Sequence, residues 1–387
     1  MRILISGGGV AGLTLAYWLR RRGMEPVVVE RSPHGRLGGY GIDFFGSGYD
    51  VATRMGIIDR LEARPLPVDS VDFLDAAGRP TARLTPALLD RIMRGPHIAL
   101  MHTTLEEALL DAVRDDVEIR FGRSLSEVRQ SESAVDVTFD DGGRESFDLL
   151  VGADGIHSRT RELVFGAEAA YARYLGVHLA SYPIKDRYGW GRVRAHYTEP
   201  GRQAVVYPSG EPGQLVALLL FTTQDTRPAP RERRFEVLRD RFAGMGWITP
   251  SLLEEAPESF FMDVMAQIVM PAWHRGRVAL AGDACGCMTM VSAQGVSMAM
   301  AGAYVLAEEL SREGGHERAF RGYQARMLPE VARRQRNALV FARSLVPETP
   351  AGVRTQRLLS KVIMRNAFAA VLRRQFGVDS VLPRGEE

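Results

Sequence analysis

The stretch ISGGGVAGLTLAYWLRRRGMEPVVVER, residues 5–31, decides the fold. Arg2 to Ser6, RILIS, is a short apolar run rich in Ile and Leu and predicts a strand. From Val10 to Arg22 the apolar residues Val10, Leu13, Tyr17 and Trp18 recur at helical spacing, and Gly23 supplies a C-terminal stop. PVVVE, Pro26 to Glu30, is β-branched and apolar up to its closing acid, a second strand. Together they make one β-α-β unit of about 30 residues, the context a GxGxxG fingerprint requires. Gly7 permits the tight turn out of the strand. Gly9 removes a side chain where a pyrophosphate must approach the backbone, and Gly12 lets helix and strand pack closely. The first helical turn, with Val10 and Ala11, offers unpaired N–H groups and a positive dipole end to phosphates. Glu30 can accept hydrogen bonds from ribose hydroxyls, and an acid there disfavours a 2′-phosphate. The nucleotide is therefore FAD or NAD, and the fingerprint alone does not separate them.

Composition narrows the class. The 387 residues suffice for two or three domains, and 45% apolar content is ordinary for a soluble globular chain. A net charge of +2 creates no strong field, so neither nucleic acid nor an anionic membrane is expected as a partner. The opening MRILISGGG is too short an apolar stretch for a signal peptide, and no run approaches the ~20 residues that span a bilayer. Both observations point to the cytoplasm. Cys285 and Cys287 are the only cysteines, which excludes a disulfide framework. With no His or Cys cluster beside them in sequence, they read as buried or loop thiols, and no metal is expected.

Beyond Arg31 the glycine-rich RSPHGRLGGYGIDFFGSG reads as a loop with short strands, followed by a helix from Tyr49 to Glu62. A hairpin is centred on Ala77-Gly78, and a Pro-bounded segment runs to Gly95. An amphipathic helix covers Thr103 to Val113, with Thr103 or Thr104 as cap and acids in its first turn. VEIRFG is a strand, and two more meet at Asp141-Gly142-Gly143. Between Gly166 and about Phe261 the runs YLGVHLASYPI, RVRAHY, RQAVVYPS and QLVALLLF predict an antiparallel sheet, then a helix from Arg231 to Phe242. RVALAG, from Arg277, returns to a strand, and a helix of small residues spans Gln294 to Leu310. The tail from Glu317 to Leu382 is almost wholly helical and basic, either an anion-binding surface or a solvated helix face.

Two further motifs follow the fingerprint in order: DLLVGADGIHSRTR, residues 148–161, and RVALAGDACGCMTMVSAQGVSMAMAGA, residues 277–303. The ordered triple resembles the single-component FAD-dependent aromatic hydroxylases, the para-hydroxybenzoate hydroxylase-like group. In loop pattern it is similar to the tetracycline-inactivating flavin monooxygenases. The resemblance covers roughly residues 1–310. It implies an α/β fold: a Rossmann-like (GR2-type) FAD-binding domain interleaved with an antiparallel-sheet substrate domain, plus C-terminal helices. Residues 1–72, 95–165 and 262–316 would form the first, 73–94 and 166–261 the second, and 317–387 the helical segment.

The same resemblance implies roles. Gly7, Gly9, Val10, Ala11 and Gly12 hold the FAD pyrophosphate, and Glu30 and Arg31 serve the adenosine end. Leu125 joins the cofactor contacts. Asp154, in the second motif with Ser158 and Arg161, holds FAD and is linked to the nicotinamide nucleotide. Asp283 bonds the ribityl chain. Gly295 and Val296 begin a helix aimed at the pyrimidine end of the flavin, where its dipole stabilises negative charge on the reduced ring. Asp43 lies near the flavin, and Arg36 matches a position tied to NADPH. His102 stands where relatives place a flavin-contacting Arg, with Arg94 a possible substitute. The third motif departs from the family at Gly286, Thr289, Ala293 and Ser297, where relatives carry His, Pro, Gly and Asn.

The implied reaction is reduction of FAD by NADH or NADPH, which visits transiently, then formation of a C4a-hydroperoxyflavin from O2. That electrophile hydroxylates an aromatic or polyketide-like small molecule. No catalytic side chain is assigned, since the cofactor carries the hard chemistry. One alternative is a natural-product tailoring enzyme that uses FAD without oxygen insertion, such as a dehydrogenase or cyclase. Another is a non-enzymatic FAD- or NAD-holding protein with a partner on its basic tail. The substrate would lie between flavin and antiparallel sheet. Inward candidates are His178, Tyr182, His196, Tyr207 and Phe221, with Phe44 or Phe45 from the loop. Met288, Met290 and Met298 read as a soft wall or as plain packing.

Overall fold

A computed structural model of the chain describes residues 1–33, 40–93, 95–289, 293–363 and 379–383. Arg36, Arg94, Met290 and the tail residues 364–378 lie outside the described residues. The fingerprint folds as its pattern predicts: strand Arg2–Ser6, helix Val10–Arg21, strand Glu25–Glu30. These strands pair in parallel inside a six-stranded sheet. Its order is His274–Arg275, Val278–Leu280, Leu149–Gly152, Arg2–Ser6, Glu25–Glu30, Glu118–Phe121. Only the two-residue edge strand runs antiparallel.

Strand alternation splits this sheet between two cores. Ile3, Ile5, Val28 and Val151 face helices Val10–Arg21, His102–Asp111 and Gly295–Leu310. Leu4, Val27, Val29 and Leu150 face a three-stranded antiparallel sheet formed by Leu125–Gln130, Val135–Phe139 and Arg144–Phe147. Both faces being covered explains why these strands are continuously apolar. Each fully buried Ile, Leu or Val contributes roughly 1.5–3 kcal/mol.

The second layer is a seven-stranded sheet in the order Phe261–Ile268, Ala172–Lys185, Gln214–Thr222, Arg202–Pro208, Val193–Glu199, Ser70–Leu74, Pro80–Leu84. It is antiparallel except where Val193–Glu199 meets Ser70–Leu74. The strand Phe261–Ile268 pairs with Ala172–Lys185, so the chain adds one more strand to this layer before re-entering the parallel sheet. Helices Arg234–Phe242 and Thr249–Glu254 cover one face through Leu238, Phe242 and Leu252. A short ribbon, Gly41–Phe45 with His97–Met101, lies at the junction of the layers.

Three expectations change. The helix foreseen over Tyr49–Glu62 is two, Ser47–Met55 and Ile58–Glu62, because Gly56 takes φ +71° and closes the first in a left-handed cap. The helix foreseen from Thr103 begins at His102. No side chain caps it, and no acid lies in its first turn. Strand His97–Met101 runs straight into it, and the His102 N–H bonds the Tyr40 carbonyl at 3.0 Å. The tail is helical over Gly315–Leu345 and Pro350–Ile363, but residues 379–383 are not helical. There the Val381 N–H donates to Ser47 Oγ at 2.9 Å, tying the chain's end to helix Ser47–Met55. No described helix is long and apolar enough to cross a membrane.

Candidate cofactor and substrate site

The three motifs, far apart in sequence, meet at the start of helix Val10–Arg21. Gly7 has φ +114°, and a Cβ there would collide with the Ala153 carbonyl and lie 2.8 Å from Asp154 Cα. The first motif therefore rests directly on the second. A Cβ on Gly282 would lie 2.8 Å from Ala11 Cβ, so the third motif rests on the first. Arg161, fully buried, donates to the Ala284 carbonyl at 3.0 Å and joins the second motif to the third. Its other bonds reach the Ile156 carbonyl at 2.6 Å and Glu168 Oε2 at 2.8 Å.

The helix start is left open. Gly9 is the N-cap, with no side-chain bond, and the first turn holds no acid. Among the described residues, a Cβ on Gly9 would have only Glu106 within 4 Å, at 3.8 Å, whereas one on Gly12 would overlap the Gly7 carbonyl oxygen. Gly12 thus serves protein packing, and the space at Gly9 faces outward from the turn. Such an uncapped start suits a diphosphate. Glu30 accepts from the Gly8 N–H and the Ser32 N–H, each at 2.8 Å. Each carboxylate oxygen retains acceptor capacity for a ribose hydroxyl. Arg31 follows it on the exposed side.

Asp154 is engaged within its own loop. It accepts from the Ser158 hydroxyl, from the Thr160 N–H at 2.8 Å and from the Thr160 hydroxyl at 2.9 Å. Ser158 caps helix Arg159–Val164 by accepting from the Arg161 N–H at 2.9 Å. Leu125 is buried in the core beneath the parallel sheet, and its carbonyl accepts from Arg159 Nε at 3.4 Å. Asp283 opens a four-residue helix behind Gly282, whose φ is +62°. Gly295 and Val296 begin helix Gly295–Leu310, and a Cβ on Gly295 would meet nothing within 4 Å among the described residues. Ser297 donates to the Phe45 carbonyl at 2.8 Å, which ties this helix start to the junction ribbon. Thr289 and Ala293, two of the departures from the family pattern, adopt φ +82° and +51°.

His102 is buried, lies tilted against Tyr40 with ring centres 5.5 Å apart and places Nδ1 3.4 Å from Glu106 Oε2. Asp43 meets Arg194 of strand Val193–Glu199 through Nη1 at 3.1 Å and Nη2 at 3.5 Å. The Arg194 guanidinium lies 5.6 Å from the Tyr207 ring centre, and the Tyr207 hydroxyl accepts from the Gly41 N–H at 3.0 Å. His196 stacks on Phe73 at 5.2 Å. Burial, then the adjacent Arg194 charge, push its pKa down to about 3, so its imidazole is neutral.

The proposed inward residues divide between the faces of the large sheet. Tyr207 and His196 share the face with Arg194 that meets the ribbon. His178, Tyr182 and Phe221 lie on the helix-covered face: Tyr182 donates to the Leu252 carbonyl at 2.9 Å, and Phe221 packs on Phe242. His178 packs on Phe221 and bonds the Asp225 carbonyl at 3.0 Å. Phe44, Met288 and Met298 are packed in the main core, and Phe45 is buried. Arg194 was absent from the sequence reading. Its signal was a charged residue two positions before His196 on the same strand face.

A family model described as "FAD binding domain" matches residues 1–334. An uncharacterised protein of Mycobacterium tuberculosis is 36% identical over 340 residues, covering 86% of this chain and 91% of its own. A flavin-dependent monooxygenase of Legionella longbeachae is 32% identical over 332 residues, 84% of each chain. Among solved structures, tetracycline destructase Tet(51) superposes with a TM-score of 0.83 at 28% identity over 99% of both chains.

Proposed function

The chain belongs to the flavin-dependent monooxygenases built on this FAD binding domain, and from that premise we propose that it uses NADH or NADPH and O2 to hydroxylate an aromatic or polyketide-like small molecule. It is an oxidoreductase that takes FAD as cofactor. The residues present fit that group. Gly9 leaves an uncapped helix start for the diphosphate, with Val10 and Ala11 lining it and Gly7 and Gly12 shaping the turn. Glu30 and Arg31 serve the adenosine end, while Leu125 contributes through the core that backs the parallel sheet. Asp283 takes the ribityl chain, and Gly295 and Val296 face the pyrimidine end, where no described residue would meet a Cβ on Gly295. Asp154 acts by holding the second motif against Gly7. His102 and Asp43 border the ring at the junction ribbon.

Bound FAD supplies hydride acceptance from the nicotinamide and activation of oxygen. The protein's part is to orient the substrate, exclude water and set local charge. The observation that carries this reading is the convergence of all three motifs on one open helix start. Against the ribbon Gly41–Phe45 stands a sheet face carrying Arg194, His196 and Tyr207. That junction of layers is where a small-molecule pocket belongs.

The test is oxygen uptake by FAD-loaded protein with NADH or NADPH across a panel of polycyclic phenols. One atom of labelled oxygen should enter product for each nucleotide oxidised. Product formed without nucleotide consumption or label would instead support the oxygen-free tailoring reaction, for which the third-motif changes at Thr289 and Ala293 speak.

A further inference from the structure

The basic run Arg333-Arg334-Gln335-Arg336 of helix Gly315–Leu345 is not all surface. Arg333 and Arg336 are exposed, but Arg334 and Gln335 are only 2% and 5% exposed. These two hold both ends of the loop between the short helix Asp283–Gly286 and helix Gly295–Leu310. At its start, Gln335 Nε2 donates to the Cys287 carbonyl at 2.9 Å and to the Ile268 carbonyl at 2.7 Å. Buried Gln267 donates in turn to the Gln335 carbonyl at 2.8 Å. At its end, Arg334 Nε donates to Gln294 Oε1 at 2.5 Å, and Gln294 is the N-cap of helix Gly295–Leu310.

The two holds differ in kind. Gln335 works through a neutral amide. Arg334 brings a full charge into the interior, and a guanidinium stays protonated there. Burial works against that charge more strongly than Glu330 restores it. Glu330 is the one carboxylate bonded to Arg334 among the described residues, through Nη1 at 2.5 Å. Its side chain is 34% exposed and also accepts from Arg333 at 2.8 Å. The negative charge is therefore shared and reached by water, while the cation is buried and weakly screened. Nη2 donates to the Asp379 carbonyl at 3.3 Å, which fixes the guanidinium in place. An ion kept where an amide would hold the loop is unfavourable for folding, so the charge itself needs a reason.

Resting on the flavin reading of this site, we infer that Arg334 is a positioning residue that sets the redox balance of the cofactor: its buried cation, held against Gln294, favours reduced over oxidised FAD. Reduction places negative charge at the pyrimidine end of the ring, the end proposed to face Gly295 and Val296. The start of helix Gly295–Leu310 stabilises that charge through its open N–H groups. Arg334 adds a fixed positive charge behind the same helix start, in surroundings that screen it little. It transfers no proton and no electron, and acts only through the residue it holds.

The midpoint potential of the FAD-loaded protein tests this, read without air against a reference dye while xanthine and xanthine oxidase deliver electrons. Arg334→Met keeps most of the volume and removes the charge. It should lower the affinity for reduced relative to oxidised FAD by about tenfold or more, a midpoint about 30 mV lower for a two-electron couple. Arg334→Lys keeps the charge and should recover most of the difference. Glu330→Gln removes the counter-charge and should shift the balance the other way, toward reduced FAD. A role confined to holding the loop would weaken retention of both oxidation states alike and leave the potential where it was. An unchanged potential in Arg334→Met, or an equal fall in Arg334→Lys, overturns the inference. Should Arg334→Met fail to fold, Glu330→Gln decides: a raised potential supports the inference, and one that is unchanged or lower overturns it. Neither nicotinamide, oxygen nor substrate enters the measurement. Failure of the hydroxylation reading would therefore appear separately, as absent oxygen uptake with the potentials shifted as stated.

Discussion

At the scale of single residues, the glycines of the fingerprint separate into two that the protein's own packing needs, Gly7 and Gly12, and one, Gly9, that packing does not require. Gly9 has φ −86° and ψ −167°, a conformation alanine adopts, and its Cβ position is nearly clear. Gly9→Ala should therefore change the stability of the FAD-free protein by less than about 0.5 kcal/mol, yet weaken FAD binding by roughly tenfold or more, since its methyl enters the diphosphate's space. Gly12→Ala should do the reverse first: its methyl overlaps the Gly7 carbonyl oxygen, so the FAD-free protein itself should melt earlier. Calorimetry on FAD-free protein and flavin titration distinguish the two. Ala293 occupies φ +51°, a left-handed conformation that disfavours any residue with a Cβ. Ala293→Gly should raise unfolding free energy by about 1 kcal/mol, measured by denaturant titration. Ala293 was legible as a departure from the family's glycine, although its strain was not. Arg194 was legible only as a charge sharing a strand face with His196. Alternation puts it on a face with His196, but no local signal says which face of a seven-stranded sheet meets the cofactor layer. For the same reason His178, Tyr182 and Phe221 could be read as inward when they lie against helices.

At the scale of elements, strands and helices were legible wherever the hydrophobic period ran unbroken, and their ends were not. The β-α-β unit, the hairpin at Gly78 and the long central strands follow directly from periodicity. Helix starts depend on what satisfies the first N–H groups, and that partner can come from elsewhere in the chain. At His102 it is the Tyr40 carbonyl, a tertiary contact the sequence does not display, and Thr103 and Thr104, which have the residue type of caps, lie inside the helix instead. Ser158 is a true cap, accepting from the Arg161 N–H and donating to Asp154. The two cases predict opposite outcomes. Thr103→Ala should be nearly neutral, within about 0.5 kcal/mol, because no capping bond is lost. Ser158→Ala should destabilise by about 1–2 kcal/mol. It should also loosen flavin retention, because Asp154 loses one of the bonds that keep the second motif seated on Gly7. Equal effects of the two substitutions on thermal midpoint would contradict this assignment of caps.

At the scale of the whole molecule, function requires the cofactor layer and the seven-stranded sheet to keep a fixed relation, and part of that relation is electrostatic. His157, inside the second motif, places Nε2 3.3 Å from Asp263 on strand Phe261–Ile268 and Nδ1 3.0 Å from Glu168. Glu168 in turn accepts from Arg161 at 2.8 Å, the residue that joins the second and third motifs. One imidazolium therefore couples the fingerprint region to the edge of the substrate sheet. Hydrogen bonds to Asp263 and then Glu168 raise the His157 pKa from 6.5 to about 9. Because the folded value lies above the unfolded one, the bridge contributes fully below pH 6.5 and is lost as pH rises through about 9. The side chain is about half exposed, at 48%, so solvent screening keeps the contribution modest. His157→Gln retains hydrogen bonding but cannot carry charge. The wild-type protein should melt above His157→Gln at pH 6, and the gap should close as pH approaches 9 and beyond. The same titration should loosen the layers without unfolding either, so FAD should dissociate faster from wild type at pH 9 than at pH 7, with a smaller change in His157→Gln. A melting gap that stays constant or widens with pH would mean that the imidazolium does not hold the layers together, and their alignment would then rest on apolar packing alone.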